Sequence, residues 1–273
     1  MAPTDRRRPL DDVSIGYYLP TRSLADTIMP SSLPTTYDLF KFKPVSEYLL
    51  DSLRKSSIWF ARPDGLNDPF DCQIDLRATF SRALKKTIGE KRNVLLAMLS
   101  EPNFLDNWEA QFSKVGVCSF TLDHLNGLMW AHYANDHRGV CLLYRFPEKF
   151  FITPTNKIIG VDKVRYGDDT VTDWLVDAEL DDIYQLRTEL TKVYLTAKAP
   201  DWSYEKEIRV IRFNHGLFEI PPESLIQVCF GMRTSEKDIT LVKDAANVHG
   251  LPVTYCQIVR DEHSDFGLTA VEI

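Results

Sequence analysis

Apolar positions along the chain alternate between two periods, and the switch between them predicts the elements. Leu39-Phe40-Lys41-Phe42 reads as a short strand stopped by Pro44, and Val45, Leu49, Leu50 and Leu53 then fall on one helical face beginning near Ser46. Ile58-Trp59-Phe60 is a second strand that runs into the loop Asp64 to Asp71. Leu84, Ile88, Leu95 and Leu99 mark one helix, and Phe104, Leu105, Trp108 and Phe112 mark another. Val115 to Phe120 reads as a strand, Leu128 to Ala134 as a short helix, and Gly139 to Tyr144 and Ile158 to Tyr166 as strands. Ile183, Leu186, Leu190 and Val193 form a helical stripe that ends before Pro200. Ile208 to Phe213 and Leu225 to Phe230 are strand-like, Ile239, Val242, Ala245 and Ala246 are helical, and Val253 to Val259 is the last strand. Strands and helices mix without regular βαβ alternation. The pattern predicts an α+β fold with a mixed, mostly antiparallel sheet, packed helices and a single domain over 37–273. Residues 1–36 carry five prolines and little periodicity, so they read as an extension that wraps the domain or is partly mobile, with Ile15 to Leu19 as a docked strand.

Composition narrows the class. Hydrophobic residues make up 44% and charged residues 26%, which are ordinary globular values. A net charge of -7 argues against a protein that coats nucleic acid through a global positive field. No apolar run reaches transmembrane length and none follows Arg6, Arg7 and Arg8 as a signal peptide would, so a cytoplasmic protein without membrane contact is expected. Five cysteines (Cys72, Cys118, Cys141, Cys229 and Cys256) stand singly without a CxxC pair, which reads as buried thiols rather than a zinc site or a disulfide framework.

Four segments carry candidate chemistry. In Asp201-Trp202-Ser203-Tyr204-Glu205-Lys206-Glu207-Ile208-Arg209, a strand extended back to Glu205 would put Glu205, Glu207 and Arg209 on one face. Two carboxylates so placed repel each other, and such a pair suits acid–base work or stabilisation of a cation; a solvated edge strand is the plainer alternative. Met129-Trp130-Ala131-His132-Tyr133 offers flat rings and hydrogen bonds, against a purely packing role. Asn67-Asp68-Pro69-Phe70-Asp71 is turn chemistry, with Phe70 plugged into the core on that view, yet loops at strand ends are also where ligands sit. Arg138-Gly139 opens a strand, where Arg138 could meet a phosphate and Gly139 permits a close backbone approach. Lys41 points opposite to Phe40 and Phe42 and needs an anionic partner or an edge position. The aspartates from Asp162 to Asp182 follow no EF-hand spacing and read as a solvated helix approach, and no metal site is expected.

These motifs, in this order, resemble an uncharacterised prokaryotic family of domains of unknown function. Its marks are an aromatic-Lys-aromatic strand, an Asn-Asp-Pro-Phe-Asp loop, a Met-Trp-x-His-Tyr segment with a basic-Gly strand after it, and a Trp-x-x-Glu-x-Glu-x-Arg strand. More distantly the chain resembles ADP-ribosyltransferases of the bacterial toxin and antiviral-defence type. That resemblance implies an enzyme that cleaves NAD, used as substrate, and passes ADP-ribose to a protein, a nucleic acid or water. It implies Lys41 as the early NAD contact, Ser119 and Thr121 as supporting hydroxyls, Tyr133 or Trp130 as the nicotinamide stacker, and Glu205 and Glu207 as the late pair. Asn67, Asp68, His132 and Arg138 complete the expected nucleotide site, with Arg138 on the pyrophosphate beside Lys41. Two alternatives remain. One is a Mg²⁺-dependent nuclease or phosphodiesterase on Asp68, Asp71, Glu205 and Glu207, with Lys198 or Lys206 near the phosphate; the other is a nucleotide-sensing module without turnover.

On the leading reading Glu207→Gln removes activity and leaves the fold intact. Nicotinamide release and a thermal unfolding curve, measured on the same preparation, check both halves of that expectation.

Overall fold

The alternation of the strands sorts side chains onto two faces of one sheet. A computed structural model describes residues 36–112, 114–178 and 183–273. Residues 1–35 of the expected N-terminal extension, including the docked strand expected at Ile15 to Leu19, lie outside the described residues, and Thr36 already belongs to the first strand.

The strands are β1 (Thr36–Lys43), β2 (Ser57–Phe60), β3 (Gly116–Thr121), β4 (Val140–Pro147), β5 (Ile158–Lys163), β6 (Arg165–Tyr166), β7 (Ala197–Lys198), β8 (Glu207–Arg212), β9 (Gly216–Glu219), β10 (Leu225–Phe230), β11 (Thr254–Arg260) and β12 (Leu268–Glu272). The helices are α1 (Glu47–Arg54), α2 (Leu76–Lys86), α3 (Gly89–Ser100), α4 (Phe104–Phe112), α5 (Gly127–Tyr133), α6 (Glu148–Ile152), α7 (Thr170–Asp177), α8 (Ile183–Thr196) and α9 (Glu236–Ala246). Eight strands form the main sheet in the order β12-β11-β10-β4-β1-β3-β8-β5, with β2 pairing β9 and β6 pairing β7 beside it. Within the main sheet only β10 and β11 run parallel. The architecture is α+β with a mostly antiparallel sheet, as the mixed pattern predicted.

One face carries Leu39, Phe120, Leu142, Tyr144, Phe146, Val210, Val228 and Phe230 and packs on α1, α6 and α9. The opposite face splits in two. Ile211 joins the apolar stripes of α2, α3, α4, α7 and α8, whereas Phe42, Cys141, Cys229 and Ile258 lie under Met129 and Trp130 of α5. Local signals set these helices: the Ser46 hydroxyl accepts from Leu49 N–H (3.3 Å) to start α1, and Asp75 accepts from Ala78 N–H (2.9 Å) to start α2. No helix among the described residues is long and apolar enough to cross a membrane.

Several expectations need correction. The stripe from Leu84 to Leu99 is two helices, because the chain turns extended at Thr87 and Ile88 and Gly89 adopts a positive φ. Ile158 to Tyr166 is two strands, and β9, β12 and α7 were not foreseen. Cys229 and Cys256 are not separate thiols: they face each other across the parallel β10–β11 pair, with Cα atoms 4.6 Å apart, and form a disulfide. Asp162 is buried near Arg165, and Asp169 pairs with Arg82, so part of the aspartate run is structural; Asp181 and Asp182 lie outside the described residues.

Gly139 answers its two readings in favour of close approach. A Cβ there would lie 2.3 Å from the Lys43 carbonyl oxygen and 2.9 Å from Ala134, where the turn from α5 meets the ends of β1 and β4. Gly139→Ala is expected to destabilise the protein by about 1–3 kcal/mol through overpacking. A urea midpoint unchanged from wild type would contradict that packing.

Candidate functional site

The site grows from a short stretch that follows α8. That helix runs directly into β7, whose Lys198 is fixed by pairing with Tyr166 of β6. Pro200 then starts a tight turn over Pro200–Glu205, Lys206 takes a left-handed conformation (φ 45°), and β8 begins at Glu207. The strand therefore does not extend back to Glu205. The two glutamates still point inward together, because the left-handed residue between them reverses the chain, not because of strand alternation.

Both carboxylates are buried, at 3% and 4% exposure, and meet on Lys198: its Nζ lies 2.5 Å from Glu205 Oε2 and 3.0 Å from Glu207 Oε2. Arg209 is wholly buried and grips Glu207 twice, with Nε 2.7 Å from Oε1 and Nη2 3.2 Å from Oε2. Its Nη2 also donates to Asp71 Oδ2 (2.6 Å), and its Nη1 donates to the Leu195 carbonyl (2.7 Å). That carbonyl belongs to the last turn of α8, which lacks intrahelical partners, so the guanidinium caps the helix as well. Asp71, Glu205 and Glu207 thus share Lys198 and Arg209, three carboxylates against two cations.

Tyr133 at the end of α5 donates its hydroxyl to Glu205 Oε1, and Asn67 Nδ2 donates to the Tyr133 oxygen at 3.3 Å. The helix is aimed by Asn126, whose Oδ1 accepts from Leu128 and Met129 N–H while its Nδ2 donates to the Tyr204 carbonyl (2.8 Å). Thr121 donates to the backbone carbonyl of Glu205 (2.7 Å).

β1 and β3 pair at Phe40↔Thr121, and further along Val117 of β3 instead bridges to Ala61. Between those points the strands separate, and the Ser119 carbonyl takes a hydrogen bond from Lys41 Nζ (2.6 Å) in place of a ladder partner. An open cleft of about 170 Å³ forms there, lined by Lys41, Lys43, Asn67, Asp71, Ser119, Thr121, Tyr133, Lys198, Glu205 and Glu207 with the rings of Phe40, Phe42 and Phe120.

The environment drives the two glutamates apart. Burial raises the Glu205 carboxyl above its ordinary value; Lys198 and Tyr133 oppose this without cancelling it, and the charge of Glu207 adds to it. Burial opposes ionisation of Glu207 too, but Arg209 and Lys198 outweigh it and hold the group at about 2. Burial and the neighbouring Glu205 push Tyr133 upward, so its hydroxyl stays a neutral donor. Burial also pushes the Cys72 thiol up to about 12, which makes it inert although Arg209 touches it.

Some predicted site residues fall elsewhere. Trp130 is fully buried against Phe42 and donates to the His124 carbonyl, so it cannot stack a ligand. His132 is exposed and lies outside the cleft lining, as does Arg138, which pairs with Asp136 at 3.6 Å. Asp68 accepts from Phe70 N–H and caps its own loop, while Phe70 is not a core plug but 78% exposed. Lys206 pairs with Asp123 on the surface. Asp71, Glu205 and Glu207 do converge, but onto the ammonium of Lys198 and the guanidinium of Arg209. Among the described residues no group of three His, Cys, Asp or Glu side chains is arranged to hold a metal ion. The clamping role of Lys198 was not foreseen, and Arg209 was expected to neutralise its glutamate neighbours only on a solvated edge strand, whereas it does so fully buried. The available signal was a lysine set between Ala197 and Ala199 directly after an apolar stripe.

Residues 129–210 match the model of a family described as "Protein of unknown function (DUF2971)". The resemblance to an uncharacterised domain of unknown function is therefore shown over that stretch, which contains Tyr133, Lys198, Glu205, Glu207 and Arg209. No curated protein and no solved structure matches the chain.

The cluster changes what Glu207→Gln should do. Removing that charge leaves Arg209 buried with Asp71 alone, so the variant loses stability as well as its acid. Lys198→Met and Arg209→Met are each expected to destabilise by about 3–5 kcal/mol, measured by urea unfolding, because each strands buried carboxylates. The depressed Glu207 carboxyl adds stability that is complete above about 4.5, the unfolded value, and is lost as the pH falls towards about 2. Urea midpoints should accordingly drop on acidification through that window. A flat profile would contradict the clamp.

Proposed function

We propose that the protein is a glycosyl-transferring enzyme that cleaves the nicotinamide–ribose bond of NAD and passes ADP-ribose to an acceptor. The observation that carries this reading is the meeting of Lys41 from β1, Ser119 and Thr121 from β3, Tyr133 from α5 and the Glu205/Glu207 pair in one cleft. Four segments distant in sequence supply a cation, hydroxyls, an aromatic ring and paired acids. Those are the parts such a reaction requires.

The physical scheme assigns each part. Departure of nicotinamide leaves a ribose with oxocarbenium character, and a preorganised negative charge in a site shielded from water stabilises it far better than solvent does. Three carboxylates against two cations leave the buried cluster one negative charge in excess when all are ionised. Glu207, held ionised by Arg209 and Lys198, supplies fixed charge. Glu205, with its raised carboxyl, is suited to take the proton of the acceptor. Tyr133 orients Glu205 by its hydrogen bond and offers the half-buried ring against which nicotinamide can stack. The acceptor can be protein, nucleic acid or water, and a toxin or defence role and a cytoplasmic setting belong to the same reading.

Glu205→Gln is the informative variant, because Lys198 keeps Glu207 and Asp71 as partners and the fold is retained. Nicotinamide release from NAD is expected for the wild type, falling by about 10²–10⁴-fold in Glu205→Gln. In the wild type the rate should rise with pH as Glu205 loses its proton. Wild-type protein that releases no nicotinamide with water, protein or nucleic acid present would sink the proposal.

A further inference from the structure

The opposite pole of the cleft carries two ammonium groups and no counter-charge. Lys41 and Lys43 are both among its lining residues, two residues apart on one strand and therefore on the same side, that of Leu39 and Phe120, where the separation of β1 from β3 opens the sheet. Lys41 Nζ is held by the Ser119 carbonyl and lies over the Phe120 ring at 5.1 Å. The Lys43 amine is half-buried and has no hydrogen bond or ion pair with any of the described residues. The carboxylates of the cleft are taken up by Lys198 and Arg209 at its other end. Two like charges on one strand face repel each other, and an apolar or singly paired arrangement would be more stable without a ligand.

We propose that Lys41 and Lys43 form a diphosphate-binding subsite, so that this pole of the cleft takes the pyrophosphate of a nucleoside diphosphate. The nucleotide class rests on the proposed function; the anion preference rests on the two lysines alone. Neighbouring side chains on one strand face stand about 7 Å apart. A single carboxylate or phosphate reaches one of them well, whereas a diphosphate spans both. The anion would turn the repulsion between the lysines into two attractions.

The groups facing Lys43 are Lys41 on its own strand and the Cys118 thiol on β3. The like charge of Lys41, with burial, lowers Lys43 to about 8, and Cys118 opposes this weakly. Lys43 is thus charged below about 8 and loses its charge above it, so anion binding should weaken as pH rises through that value. Binding near that pH should also draw a proton onto Lys43.

Calorimetric titration of the full chain with ADP, AMP and inorganic pyrophosphate tests the subsite without any turnover. Expected are binding of ADP and pyrophosphate more tightly than AMP at neutral pH, and a drop in ADP affinity of about tenfold one unit above the Lys43 value. Lys43→Met should lower ADP affinity by about 10–100-fold at neutral pH. Lys43→Arg should keep that affinity but lose both the alkaline weakening and the proton uptake, a signature that a merely structural lysine would not give. ADP affinity unchanged by Lys43→Met, or absence of ADP binding to the wild type, overturns the subsite. The two readings fail separately. Nicotinamide release together with unchanged ADP affinity in Lys43→Met removes the subsite alone. ADP binding with the expected pH signature but without nicotinamide release removes only the catalytic proposal.

Discussion

The fold closes on the guanidinium of Arg209. It sits wholly buried where the loop after β2, the end of α8 and the start of β8 meet, and it donates to Asp71, Leu195 and Glu207. Burying five charged groups has a large desolvation penalty, and only near-complete mutual pairing offsets it. An apolar cluster of equal volume would fill the same space with no less stability, so the arrangement is not explained by packing. Its consequence is geometric. Asp71, Lys198, Glu205 and Glu207 are fixed relative to one another, because none can move without stranding a buried charge.

The second constraint is the separation of β1 from β3. A continuous antiparallel ladder there would have closed the sheet and left no cleft. Instead Ala61 takes the place beside Val117, and Lys41 satisfies the carbonyl that the separation exposes. One lysine therefore makes the gap tolerable to the backbone and charges its wall. The cleft ends up polarised, acidic at the β8 end and basic along β1. On the proposed function that polarity would suit a dinucleotide whose reacting ribose lies at the acidic end and whose central diphosphate lies along β1.

Much of the framework was legible because it rests on periodicity. The Leu49-Leu50-Leu53 and Val242-Ala245-Ala246 stripes and the alternation that set Lys41 opposite Phe40 and Phe42 all reappear in the structure. Strand pairs that cover little core, such as β9 and β12, leave weak patterns and were missed. At the site, the co-occurring motifs mark segments that the fold brings together, but they could not say which side chain of each segment faces the cleft. Trp130 and Tyr133 sit on one helix of two turns; packing against Phe42 takes the first and leaves the second. Glu205 was placed inward for the wrong reason, since a left-handed Lys206 lies beyond what alternation can foresee. Arg138 and His132 look like ligand residues in sequence, yet they follow or end a short helix whose buried face is set by its neighbours. Lys198 and Asp71 were named only on the nuclease reading, and their pairing was hidden because an ion-pair network is a property of tertiary contact and leaves no period.

The division between the two glutamates gives the proposed chemistry its order. When Glu205 is ionised the cluster holds one excess negative charge; when Glu205 carries a proton the cluster is balanced. Cation stabilisation is needed while nicotinamide departs, and at that stage the acceptor still keeps its proton, so the excess charge is present. As the acceptor attacks, the ribose cation disappears and the proton passes to Glu205. The cluster then becomes neutral in the same step that removes the charge it was stabilising. Glu207 could not perform this switch, because Arg209 and Lys198 hold its charge fixed throughout. The fixed acid keeps the site assembled, and the movable proton on its neighbour lets the product leave a cluster that no longer attracts a cation.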